Sequence, residues 1–239
     1  MNKIGIGLFI SFVISLLFFN GHEVSSDLRA STLIVKKSEV DNISSKVELK
    51  KKSGFIVLRK SIFTTTVNST ENDAQESSEG RVNTKSGNIY LAEYCGIPQI
   101  AGIRFEEVMV PRGATIKRAY IQFVANSSSD DSSSLTINIE NHPEPSEFKE
   151  EYFDLSDRKV LDKKVVWKPK FWEVLGENSS QYSTADLSQL IIGIVSQEEW
   201  KSGNPMVFLI SGEGCKIAKS FDANPQYAPK LYIEYEAPY

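Results

Sequence analysis

Apolar residues recur at every second position in several short stretches of the chain. Leu135, Ile137 and Ile139 alternate with Thr136, Asn138 and Glu140, and Ala119, Ile121 and Phe123 alternate with Tyr120 and Gln122. Ile103 and Phe105 repeat the pattern, as do Leu231, Ile233 and Tyr235 around Tyr232 and Glu234. A period of two gives a strand with one buried and one wet face. Residues 62–67 are rich in β-branched side chains, which favour strands. Residues 206–210 are apolar at every position and predict a central strand. From about Arg59 onward, loops rich in Gly, Ser, Asn and Asp separate these runs. Many short antiparallel strands spaced in this way predict a sandwich or barrel.

One segment breaks the period. Leu187, Leu190, Ile191, Ile194 and Val195 follow the spacing of a single helical face. Ser183 or Thr184 can cap a first turn, and Asp186 suits the positive end of the helix dipole. The expectation is one short helix over about 184–197, plugging an end of the sandwich.

The N-terminus has a different texture. Lys3 precedes an apolar run over residues 4–19, with a polar stretch immediately after. Such a run is short for a membrane span, which needs about 18–20 residues. Val24 and Ser26 suit a cleavage site, so residues 1–26 read as a secretory signal peptide, with an uncleaved anchor as the alternative. Residues 27–58 read as a leader or linker, either a flexible arm or an extra edge strand. The domain proper is expected over 59–236. No second apolar run of spanning length follows, so no membrane span is expected after cleavage. Four Asn-x-Ser/Thr triplets, at Asn42, Asn68, Asn126 and Asn178, are potential glycan acceptors in a eukaryotic host and weak support for secretion.

Composition narrows the function. The 239 residues are 41% hydrophobic and 24% charged, with a net charge of −4, so a packed core is available and no nucleic-acid partner is expected. The one basic run, Lys50-Lys51-Lys52, lies in the leader and reads as a solvated linker. After signal cleavage His142 is the sole histidine, in the Pro-rich loop "ENHPEPSEF", a poor start for a nucleophilic triad or a zinc site. Paired carboxylates at Glu106-Glu107, Asp130-Asp131 and Glu198-Glu199 could serve glycoside chemistry. Asp130-Asp131 sits inside "NSSSDDSSS", however, a loop tip that holds geometry poorly.

Read in order, the segments "STENDAQES", "GIRFEEVMVPRGATIKRAYIQF", "SLTINIE", "VVWKPKFW", "YSTADLSQLIIGIV", "WKSGNPMVFLISGEG" and "SFDANPQYAPKLYIEY" resemble a family of secreted jelly-roll modules. These are carbohydrate-binding-module-like and DNRLRE-type domains appended to extracellular enzymes and surface proteins. The resemblance covers about 62–235 and is most specific from Val110 through Gly113 to Phe123. It implies an all-β jelly-roll sandwich and a non-catalytic accessory role, with polysaccharide as the ligand of some members. There are departures: Asn72-Asp73-Ala74-Gln75-Glu76 stands where members carry a more acidic run, Ala185 where a Pro is common, and Cys215 where a basic residue is common.

Three sets of residues carry candidate chemistry. Trp167, Phe171 and Trp172 flank "KPK" and could stack on sugar rings, or could serve the core and anchor a loop. Asp73, Glu76 and Asp222 offer oxygen ligands for a structural calcium if the first and last loops meet, or are ordinary solvated acids. Cys95 and Cys215, the only cysteines, are expected to pair in an oxidising compartment, with unlinked thiols as the alternative. The reading is a secreted module, not an enzyme, that binds polysaccharide or another surface or matrix polymer. The alternatives are a structural component of a coat or wall and, third, a minimal glycan-active enzyme.

Overall fold

The computed structural model describes residues 32–35, 56–130, 132–174 and 181–238. The predicted signal peptide and the triplets at Asn42 and Asn178 lie outside the described residues, as do Asp131 and most of the leader.

In chain order the elements are β1 (Thr32–Val35), β2 (Ile56–Thr66), β3 (Asp73–Ser77), β4 (Val82–Asn83), β5 (Asn88–Tyr90), β6 (Glu93–Tyr94) and β7 (Ile97–Phe105). They continue with β8 (Thr115–Val124), β9 (Ser134–Ile139), β10 (Val165–Trp167), β11 (Gln181–Ser183), α1 (Ser188–Val195), β12 (Met206–Glu213), β13 (Ile217–Lys219) and β14 (Lys230–Pro238). The fold is an all-β sandwich of antiparallel strands with one short helix. One sheet runs β1-β2-β14-β8-β11 and the other β10-β9-β12-β7-β3-β4, with β6 on β7 and a small β13-β5 pair beside them. In the leader, β1 is an edge strand on β2, and β2 itself begins at Ile56, ahead of the expected domain start.

Alternation decides which side chains meet. Ala119, Ile121 and Phe123 of β8, Leu135, Ile137 and Ile139 of β9, Phe208 and Ile210 of β12 and Leu231 and Ile233 of β14 are all buried in one core between the sheets. Phe105 meets Phe208 edge to face, with ring centroids 6.0 Å apart. Val207 and Leu209 of β12 face the other way. They form a second cluster with Ala74, Phe148 and Leu155 on the outer side of the sheet, which is why residues 206–210 are apolar throughout.

That outer cluster is roofed by an excursion between β9 and β10. The chain leaves β9 and returns at Val160, which bridges to Glu140. Arg158 rivets this strap. Its guanidinium donates to Glu140 (2.8 Å), to Asp154 (3.0 Å) and to the carbonyls of Ser146 and Glu147, and lies 4.7 Å from the Phe148 ring centroid. Phe148 and Leu155 then press on Gly102, where a Cβ would stand 2.6 Å from Phe148.

The helix is shorter than its sequence pattern predicts. Thr184 and Leu187 donate their N–H groups to Ile121 and Ala119, so this stretch is pinned to β8 instead of coiling. Asp186, not Ser183 or Thr184, takes the first turn's free donor, accepting from Ser188 N at 3.1 Å and from Ala119 N at 2.9 Å. Burial pushes its carboxyl up, but these bonds win and hold it below the usual range.

Candidate functional site

The predicted sugar-stacking segment turns inward. Trp167 is buried by strand alternation on β10 and stacks on Phe123 at 6.1 Å. Trp172 is fully buried, stacked on Tyr182 at 5.0 Å and paired through its backbone with Ser129. Only Phe171 is exposed. The expectation of a three-ring platform at Trp167, Phe171 and Trp172 is therefore corrected. The two Trp residues close one end of the core, since a large ring gains more by burial than a loop loses in docking it.

The proposed calcium set is also not assembled. The first and last loops do meet: Asp73 accepts from Phe221 N at 2.8 Å, and Asp222 accepts from Thr70 Oγ1 at 2.9 Å. Burial pushes the Asp73 carboxyl up to about 7; the Phe221 bond opposes this and Asp222 adds to it. Glu76 stands three residues along the same strand, and an odd separation puts it on the opposite face of the sheet. There its Oε2 accepts from Leu155 N (2.8 Å) and Ser156 N (3.0 Å). Among the described residues no group of three His, Cys, Asp or Glu side chains is placed to hold a metal. Glu76 thus does not join Asp73 and Asp222 in one oxygen cage.

The predicted disulfide is absent as well: Cys95 and Cys215 are not joined. Cys95 (φ 50°) and Gly96 (φ 77°) form the two-residue turn between β6 and β7, whose primed geometry requires positive φ at both positions. The hairpin thus fixes Cys95 on the exposed surface, while Cys215 is half-buried beside Lys216. Both belong to one end of the fold. Burial raises the Tyr90 hydroxyl above its ordinary pKa, and Tyr94, Cys95 and Cys215 add to the effect.

An open groove of about 430 Å³ lies where the strap stops short on the outer face of β12-β7-β3. It is lined by Glu76 of β3, Ile100 of β7, Ser211 of β12, Ser156 of the strap and Phe153, while strand parity turns the side chains of Ser77 and Gln99 to the other face of the sheet. Phe153 is the unusual member. Its φ is 64°, a region that bulky side chains rarely enter. The surroundings hold it there: Phe153 N donates to Gly80 O at 2.8 Å, and its carbonyl accepts from Asp157 N at 2.9 Å. Gly80 (φ 81°) closes the β3–β4 hairpin through Gly80 N to Ser77 O, and any Cβ there would overlap the Phe153 ring. The ring remains 46% exposed, with Tyr152, 63% exposed, at 6.3 Å. An exposed aromatic ring is thus held on a strained backbone in a groove that Ser156 and Ser211 also line. Nothing in the sequence pattern singled out Phe153.

No protein-family profile matches this sequence, and no curated protein does. His142 stands in the exposed strap, its Nδ1 accepting from Glu144 N at 3.0 Å.

Proposed function

We propose that this protein is a secreted, non-catalytic module that binds a carbohydrate polymer in the groove beside Phe153. The observation that carries the reading is the Phe153 ring, presented half-exposed from a left-handed backbone in a groove that Ser156 and Ser211 also line. A sugar presents an apolar C–H face and a rim of hydroxyls, and an aromatic wall with short hydrogen-bonding side chains complements both. Strained residues cluster at ligand clamps, where a fixed ring binds without losing further freedom. Glycoside hydrolysis asks for two carboxylates across the scissile bond. The one carboxylate lining this groove, Glu76, is engaged in holding the strap's backbone. The resemblance to jelly-roll binding modules and the apolar N-terminal run support the accessory, extracellular part of the reading.

Affinity electrophoresis of the full chain through gels containing a panel of polysaccharides tests it. Phe153→Gly is the informative variant, because glycine accepts the backbone geometry while removing the ring. Retardation by at least one polymer, lost in Phe153→Gly with the melting temperature maintained, is expected. Retardation unchanged by the substitution, or none on any polymer, would sink the reading.

A further inference from the structure

The outer face of the other sheet carries a feature that the groove does not use. Near the start of β8 the alternation fails: Ile116 is buried, Lys117 and Arg118 are both exposed, and Ala119 is buried again. The pairing with β14 shifts at this point, from Arg118 opposite Glu234 to Ile116 opposite Tyr235. This is a β-bulge, and it aims two consecutive basic side chains at the same outer face. Next to it, Tyr120 and Tyr232 sit directly opposite each other and stack, with centroids 4.8 Å apart and planes at 14°. The Arg118 guanidinium lies 5.0 Å from the Tyr120 centroid. On its far side Tyr232 faces Thr64, a short side chain.

The charges on this face do not cancel. Lys60 pairs with Glu234 at 2.6 Å and Lys117 with Glu236 at 3.0 Å. Arg118 and Lys230 bracket the tyrosine pair along the strands, with Asp186 at the sheet margin within electrostatic range of Arg118. With Asp186 at the margin, four cationic and three anionic side chains therefore share this face on a chain whose net charge is −4. Ile62, 60% exposed, extends the apolar part of the patch.

We propose that this face is a second binding surface, taking an acidic polysaccharide whose uronate or sulfate groups meet Arg118 and Lys230 while a sugar ring packs on the Tyr120–Tyr232 stack. The complementarity is one of charge and shape. Carboxylate and sulfate oxygens match an arginine fork, and a pyranose C–H face matches an aromatic edge or face on an open sheet. A nucleic acid rewards a larger basic footprint than Arg118 and Lys230 supply. The two sites occupy the outer sides of opposite sheets, so this surface acts independently of the Phe153 groove.

The test compares gel retardation of the full chain by polygalacturonate and heparin with retardation by an uncharged dextran, at low and raised ionic strength. Arg118→Glu with Lys230→Glu is expected to weaken retardation by the acidic polymers about tenfold or more, the size of one lost charge-assisted contact. Wild-type retardation is expected to fall with salt. Retardation by any uncharged polymer that the Phe153 groove takes is expected to be unchanged in the charge-reversed variant, which separates this surface from the groove. Tyr232→Ser, which leaves both cations in place, is expected to weaken binding as well. Acidic-polymer retardation that survives the charge reversal, or equals that by dextran, would overturn the proposal. So would binding only to anionic vesicles or duplex DNA in parallel assays.

Discussion

The carboxylate of Glu76 accepts the backbone N–H of Leu155 at 2.8 Å, seventy-nine positions away in the chain. One side chain thereby fixes the height of the strap above β3 and the back of the groove. The bond is buried, and Ser156 N shares the same oxygen. Glu76→Ala leaves two strap N–H groups without their acceptor. It is expected to cost about 1.5–3 kcal/mol, read as a drop in the urea midpoint, and to speed amide exchange at Leu155 and Ser156. Glu76→Gln keeps an acceptor oxygen and should fall between. Unchanged exchange at both amides in Glu76→Ala would show that the strap is held otherwise.

Gly102 lies under the strap as part of β7. A methyl group added there meets Phe148 Cζ at 2.6 Å and Leu155 Cδ2 at 3.0 Å. Gly102→Ala is expected to destabilise the domain by about 1–3 kcal/mol through overpacking. The cost should shrink in the Phe148→Leu background, which frees the space. Equal losses in both backgrounds would argue against a clash at this contact.

Asp73 links stability to pH. Its folded pKa of about 7 is above the ordinary value of 3.8, chiefly through burial. Over that interval the folded state holds a proton that the unfolded chain releases. The associated stability is therefore complete below about pH 4, declines as pH rises, and is gone above about 7. The span amounts to at most about 4 kcal/mol. Asp73→Asn keeps an acceptor for Phe221 N without a titrating proton. Denaturation series from pH 4 to 8 should show the decline in the wild type and a flatter profile in Asp73→Asn, with the variant more stable at pH 8. Parallel profiles would remove Asp73 from the account.

Trp172 and Phe171 are adjacent and should behave in opposite ways. Trp172→Ala empties a buried site against Trp167 and Tyr182 and is expected to cost about 3–5 kcal/mol of stability. Phe171→Ala, at a side chain that is 52% exposed, should leave the melt within a degree or two of wild type. Neither is expected to remove polysaccharide binding from protein that remains folded. Selective loss of binding in Phe171→Ala would return this segment to the ligand site.

Local pattern determined the class of this fold. Period-two alternation at 119–123, 135–139 and 231–235 reports which side of a strand is buried, and sheet geometry imposes that period wherever the strand pairs. The apolar run at 206–210 marked a central strand because both of its faces are covered, one by the core and the other by the strap. Tertiary structure decided the rest. Whether Trp172 faces water or the core depends on a loop docking against Ser129, a contact that no local spacing encodes. The helix lost its first turn because β8 offered Thr184 and Leu187 better backbone partners than the helix did. Asp73 and Glu76 look like one acidic cluster in sequence, yet strand parity sends them to opposite faces, and only the pairing of β3 with β7 makes that parity apply. Phe153 carries no signal of its own. Its strained backbone is held against Gly80, a hairpin turn seventy-three positions away that only the folded strap brings beside it.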